Sequence, residues 1–155
     1  MMTERECIDD FLARKRLAVV GVSRNPKDFT RLLFREFRKR GYDVVPVNPA
    51  MSAVEDLPCF ARVQDIQPPV EGAVVVTAPA GTDQVVRDCA AAGIGRVWMY
   101  RAGGKGAVSR EAVEFCRSNG IGVVPGQCPF MFFPNTQWPH RLHGFVRKIV
   151  GAYPR

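Results

Sequence analysis

The side chains best suited to chemistry gather in turns that follow apolar runs. Gly21, Val22, Ser23, Arg24, Pro26 and Lys27 form one such turn in "VVGVSRNPKDFT", with Thr30 and Arg31 just beyond it. A glycine turn leading into a helix presents backbone N–H groups that suit a phosphate or pyrophosphate. The Ser23 and Thr30 hydroxyls would add donors, and Arg24, Lys27 and Arg31 positive charge. A second group, Val47, Asn48 and Pro49, lies in "PVNP", and a third, Thr77, Ala78 and Pro79, ends "GAVVVTAP". Cys128 follows the run "IGVVPG" with no histidine or acid beside it in sequence. It reads either as a small apolar residue before a proline or as a thiol able to exchange with a thiol ligand. Lys105, in "RAGGKGAV", offers a further charge on a glycine-rich loop. His140 and His143 stand three apart in the tail, where surface or packing roles are expected and nothing supports a metal or phosphoryl role.

Regular elements must carry these turns. Thr3 and Glu6 form a capping box ahead of Ile8, Phe11 and Leu12, which predicts a short first helix. Leu17 to Val22 reads as a strand buried on both faces. Phe29, Leu33 and Phe37, with Leu32 beside them, then give the inner face of an amphipathic helix that stops at Gly41. Tyr42 to Val47 is a second strand. The proline-rich stretch Asn48 to Gly72 supports at most a short helical piece between Phe60 and Ile66. "GAVVVTAP" is a third strand, followed by a helix with Thr82 as N-cap, and Arg96 to Tyr100 is a fourth. A helix from near Ser109 turns Ala112, Val113 and Cys116 inward and leads to a fifth strand, "IGVVPG". From His140 onward, Leu142, Phe145, Val146 and Ile149 suggest a last helix, and "FMFFP", Phe130 to Pro134, reads as core.

Glycines at 41, 93 and 120 each close a helix shortly before an apolar strand. That rhythm implies βαβ units and a parallel sheet covered on both faces. The expected fold is therefore α/β, a Rossmann-like doubly wound sheet of about five parallel strands in the order 3-2-1-4-5. One domain over residues 1–155 is expected, with a short N-terminal helix and an aromatic C-terminal tail. Ligands of such sheets bind beyond the carboxyl ends of the strands, where the order reverses. The turns named above are all placed at that edge.

Composition narrows the function classes. With 155 residues and a net charge of +7, the chain is the size of one domain and favours an anionic partner. It carries no recognisable nucleic-acid reading motif, and its basic residues are not interleaved with aromatics. No run of about 18 apolar residues is present, and the charged N-terminus lacks the apolar core of a signal peptide. Five cysteines without C-x-x-C spacing argue against a disulfide framework or zinc ribbon. A cytoplasmic protein with reduced thiols is expected.

The first turn does not match a dinucleotide fingerprint. Ser23 and Pro26 stand where the second and third glycines of G-x-G-x-x-G belong, and Asn48 replaces the acid that would hold a ribose diol. "VVGVSRNP", "GYDVVPVNP", "VVVTAPAGT" and "GIGVVPGQCP" instead resemble, in order and spacing, the stand-alone CoA-binding domain proteins. Their fold is similar to the CoA-binding N-terminal domain of the succinyl-CoA synthetase α subunit. The resemblance spans about Leu17 to Phe130.

It implies that Gly21, Ser23, Arg24, Pro26 and Thr30 form a phosphate turn, with Val47, Asn48 and Pro49 beside adenosine and Thr77, Ala78 and Pro79 flanking the ligand. Cys128 would then stand near the pantetheine end. The synthetase's second domain, with its phosphorylated histidine, is not expected within these 155 residues. The reading is a protein that binds CoA or acyl-CoA without chemistry of its own, acting as a binding or regulatory module, with a homodimer or protein partner possible. An NAD(P)-binding oxidoreductase, or an acyl-CoA-linked transferase using Cys128, is the alternative.

Overall fold

The computed structural model describes residues 2–101 and 106–133. Its chain order is α1 (Glu4–Leu12), β1 (Arg16–Val20), α2 (Phe29–Lys39), β2 (Asp43–Val47), β3 (Ala53–Val54) and β4 (Leu57–Pro58). A 3-10 turn (Val63–Asp65), β5 (Gly72–Val75), α3 (Pro79–Ala91), β6 (Arg96–Tyr100), α4 (Arg110–Ser118), β7 (Gly122–Gln127) and a second 3-10 turn (Pro129–Met131) follow. The tail helix expected from His140, both histidines and Lys105 lie outside the described residues.

Five strands form one parallel sheet in the order β2-β1-β5-β6-β7. Side chains alternate across it. Leu17, Val19 and Trp98 pack with Ile8 and Phe11 of α1 and Leu33, Phe34 and Phe37 of α2. Ala18, Val20, Val97 and Met99 pack with Val86 and Cys89 of α3 and Ala112 and Cys116 of α4. The period of two along each strand sorts the core into these two layers. Thr3 caps α1 as its capping box predicts, its hydroxyl accepting the Glu6 N–H at 3.1 Å.

The fold class matches expectation, but the expected order 3-2-1-4-5 is corrected. "GAVVVTAP", the third long strand, lies against β1 and not outside β2. Among the described residues, the place outside β2 is held by Phe60 alone, which accepts the Asn48 N–H at 2.9 Å and donates to the Pro46 carbonyl at 3.0 Å. Prolines and absent apolar alternation keep the stretch after Asn48 from building a strand there. Its length goes into the β3–β4 hairpin and a 3-10 turn. The order reversal therefore falls between β1 and β5, whose following helices cover opposite faces.

Two helix assignments also change. In α2 the buried residues are Arg31, Leu33, Phe34 and Phe37, whereas Phe29 and Leu32 are 38% and 50% exposed. α3 begins three residues before its expected cap, with Ala78 as N-cap and Pro79 as first helical residue. Proline suits that position because the first N–H of a helix has no internal partner. Thr82 is instead fully buried inside the helix.

Candidate functional site

The turns after β1, β2 and β5 meet at the carboxyl edge of the sheet. Gly21 adopts φ +100, and a Cβ built there would lie 2.9 Å from both the Thr77 backbone nitrogen and its Cγ2. Only glycine lets the first turn pass this close to the third. The Gly21 N–H donates to the Val47 carbonyl at 2.9 Å, and Asn48 Nδ2 donates to the Val22 carbonyl at 2.7 Å. Asn48 Oδ1 meanwhile accepts the Ala50 N–H at 2.8 Å. These bonds join the three turns into one surface, with Val22 and Val47 buried beneath it and Pro49 and Ala78 exposed.

Within the first turn, the side chains mostly serve the backbone. Thr30 Oγ1 accepts the Ser23 N–H at 2.8 Å, Ser23 Oγ accepts the Asn25 N–H at 3.0 Å, and Asn25 Oδ1 accepts the Lys27 N–H at 3.0 Å. Asp28 caps α2 by accepting the Thr30 N–H at 2.8 Å. The N-terminus of α2 is thus already met by a carboxylate, unlike the open helix end expected there. Among the described residues, the N–H group of the exposed Arg24 finds no acceptor, which leaves a donor earlier in the turn. Arg24, Pro26 and Lys27 are exposed, and the two basic side chains form no ion pair among the described residues.

Arg31 takes a different role from the one expected. It is buried at 6% exposure, pairs with Glu55 at 2.7 Å and donates to the Ser23 carbonyl at 3.2 Å. Hydrogen bonds from Arg35 and then Arg31 hold the Glu55 carboxyl below the usual carboxylate range. Arg31 braces the turn from behind while Arg24 and Lys27 face outward.

The third turn differs from the first. The N-terminus of α3 has no side-chain cap and no acid in its first turn, and Ala78, Ala80 and Gly81 keep it uncrowded. Thr77 Oγ1 lies 2.9 Å from Thr82 Oγ1, and Thr82 donates to the Ala107 carbonyl at 2.7 Å. Thr82→Val is expected to lower stability by about 1–3 kcal/mol, because the buried carbonyl of Ala107 loses its donor. Thermal denaturation would measure it. The sequence held a sign of the earlier helix start in Pro79, but none of the Thr77–Thr82–Ala107 chain, which spans three elements.

Cys128 is buried at 6% exposure among Met131, Phe132 and Phe133. Its thiol is packed into the aromatic layer on the α2 face, so thiol exchange with a ligand is not supported by its position. The Cys89 thiol is pushed to about 12 and the Cys116 thiol to about 11, each mainly by burial. After β7 the chain crosses towards α2, where Phe130 meets Phe29 edge-on at 5.7 Å and Phe29 lies 5.1 Å from Tyr100. Within "FMFFP", Met131, Phe132 and Phe133 are core, as expected, Phe130 is half-buried against it, and Pro134 lies outside the described residues. Among the described residues, no group of three or more His, Cys, Asp and Glu side chains could hold a metal ion. No described helix is long and apolar enough to cross a membrane.

Known proteins are similar to this chain in sequence and fold. The α subunit of an ADP-forming acetate–CoA ligase II from Pyrococcus furiosus is 26% identical over 129 residues, covering 78% of this chain but only 28% of the ligase subunit. A hypothetical protein from Pyrococcus horikoshii superimposes with a TM-score of 0.74 at 27% identity, covering 83% of this chain and 87% of that one. The dinucleotide-forming acetyl-coenzyme A synthetase 1 of Ca. Korarchaeum cryptofilum superimposes with a TM-score of 0.63 at 25% identity, covering 75% of this chain and 27% of that one. Residues 15–134, which include all three turns, match the CoA binding domain, and the chain belongs to that family.

Proposed function

We propose that this chain binds CoA or an acyl-CoA as a single-domain module without chemistry of its own. The observation that carries this reading is the convergence of the three turns, with Gly21 against Thr77 and Asn48 holding the Val22 carbonyl. The unpartnered N–H group of Arg24 and the uncapped start of α3 suit the diphosphate. Arg24 and Lys27 suit the ribose 3′-phosphate, and the segment at Val47, Asn48 and Pro49 suits the adenosine.

A module of this kind acts through a second surface, so a protein partner or a second copy of the chain belongs to the same reading. The five cysteines form no disulfide with one another, which suits a reducing cytoplasm.

Calorimetric titration with CoA, dephospho-CoA, NADPH and ATP at one salt concentration tests it. CoA is expected to saturate one site, and dephospho-CoA to bind about tenfold more weakly through the loss of a charge-assisted contact. Binding of NADPH in place of CoA would reject the reading.

A further inference from the structure

Glu55 adopts φ +57 at the tip of the β3–β4 hairpin, a conformation that costs a non-glycine residue free energy. Glycine would take this position without strain. What glutamate adds is a carboxylate, whose Oε2 accepts from Arg31 Nε at 3.2 Å, Arg31 Nη2 at 2.7 Å and Arg35 Nε at 3.0 Å. The remaining nitrogen of Arg31, Nη1, donates to the Ser23 carbonyl at 3.2 Å and more weakly to that of Arg24 at 3.5 Å. A guanidinium is a rigid fork, so fixing one side of it fixes the direction of the other. The hairpin beyond β2 and the turn beyond β1 are therefore joined through one buried cation.

We infer that Glu55 is a positioning residue: through Arg31 it holds the turn at Ser23 and Arg24 and the segment after β2 as one preformed unit. This rests on the reading that both segments serve one ligand. Holding them together before binding lowers the ordering cost that the ligand must meet. Asp56, the next residue, provides a built-in comparison. It lies on the same hairpin and pairs with Arg38 of α2 at 2.8 Å, with no bond to the turn among the described residues.

Amide hydrogen exchange on the full chain without ligand tests the clamp. The reporters are the Ser23 and Asn25 N–H groups, bonded to Thr30 Oγ1 and Ser23 Oγ. In Glu55→Gly these two amides are expected to exchange about tenfold faster, the scale of a lost hydrogen bond to a charged group. Arg31→Lys should do the same, and its combination with Glu55→Gln should add little beyond either change. Asp56→Asn should leave both amides as they are.

Glu55→Gly should also lose less global stability than Glu55→Gln, since glycine relieves the backbone strain. Unchanged exchange in Glu55→Gly, or equal acceleration in Asp56→Asn, would overturn the inference. Titration with CoA separates it from the ligand reading. Wild type that fails to bind CoA rejects that reading while the exchange data still decide the clamp. Equal CoA affinity in wild type and Glu55→Gly overturns the positioning role.

Discussion

Gly21→Val is expected to abolish CoA binding and to destabilise the protein by about 2–5 kcal/mol, combining the penalty of a left-handed backbone with overpacking. The residue has φ +100, and the new Cβ would meet the Thr77 nitrogen and Cγ2 at 2.9 Å. Neither contact is the free end of a flexible side chain, so the turn itself must move away from β5. That movement strains the bond from the Gly21 N–H to the Val47 carbonyl and parts the surfaces assigned to the ligand. Urea denaturation gives the stability change, and calorimetry on the folded variant gives the binding. Gly95→Ala is the comparison: nothing lies within 4 Å of a Cβ there, and its stability should change by no more than about 0.5 kcal/mol. A Gly21→Val variant that binds CoA with wild-type affinity would remove this turn from the site.

Trp98→Ala is expected to cost about 3–5 kcal/mol, the range for emptying a large aromatic position. Trp98 is fully buried on β6, edge-on to Phe11 of α1 at 5.5 Å and 6.1 Å from Phe132. Its indole N–H donates to the Gln127 carbonyl at 2.8 Å, fastening β7 at the point where the chain turns back across the α2 face. Trp98→Phe keeps most of the volume and loses that bond, so a smaller loss of about 1–2 kcal/mol is expected. Both are measured by urea denaturation followed by far-ultraviolet circular dichroism. Because β6 is separated from β1 by β5, CoA affinity in the folded fraction should change less than stability does. Equal stability of Trp98→Ala and wild type would show that this layer is not the core described here.

The parts of this fold that follow from local chemistry could be read from the chain. Thr3 and Glu6 announced α1, apolar runs announced the buried strands, and Gly21 marked the tight first turn. Membership of the CoA binding domain family accords with the resemblance carried by "VVGVSRNP" and "PVNP". What could not be read depends on partners distant in sequence. Arg31 looks like one more surface cation on a basic helix until Glu55, 24 residues on, turns it inward. Phe29 and Leu32 share the apolar stripe of α2 by period, yet the helix leaves them partly exposed, Phe29 against Tyr100 and Phe130, and buries Arg31 and Phe34 instead. The strand order failed for a related reason. A single paired residue, Phe60, fills a place that periodicity can reveal only when several residues alternate.

That one residue also bears on how the sheet ends. β2 would otherwise display an open row of backbone groups, the usual template for strands of neighbouring molecules to join. Phe60 occupies the Pro46 carbonyl and the Asn48 N–H, and Pro46 has no N–H to offer. A residue's N–H and carbonyl positions in a strand face the same side, so the missing donor lies on the outward side, where proline is tolerated. The rim of the sheet at β2 is thereby covered between Pro46 and Asn48, which shortens the row open to stacking of copies edge on edge. Fibrous self-assembly through that stretch of the rim would first require Phe60 to peel away.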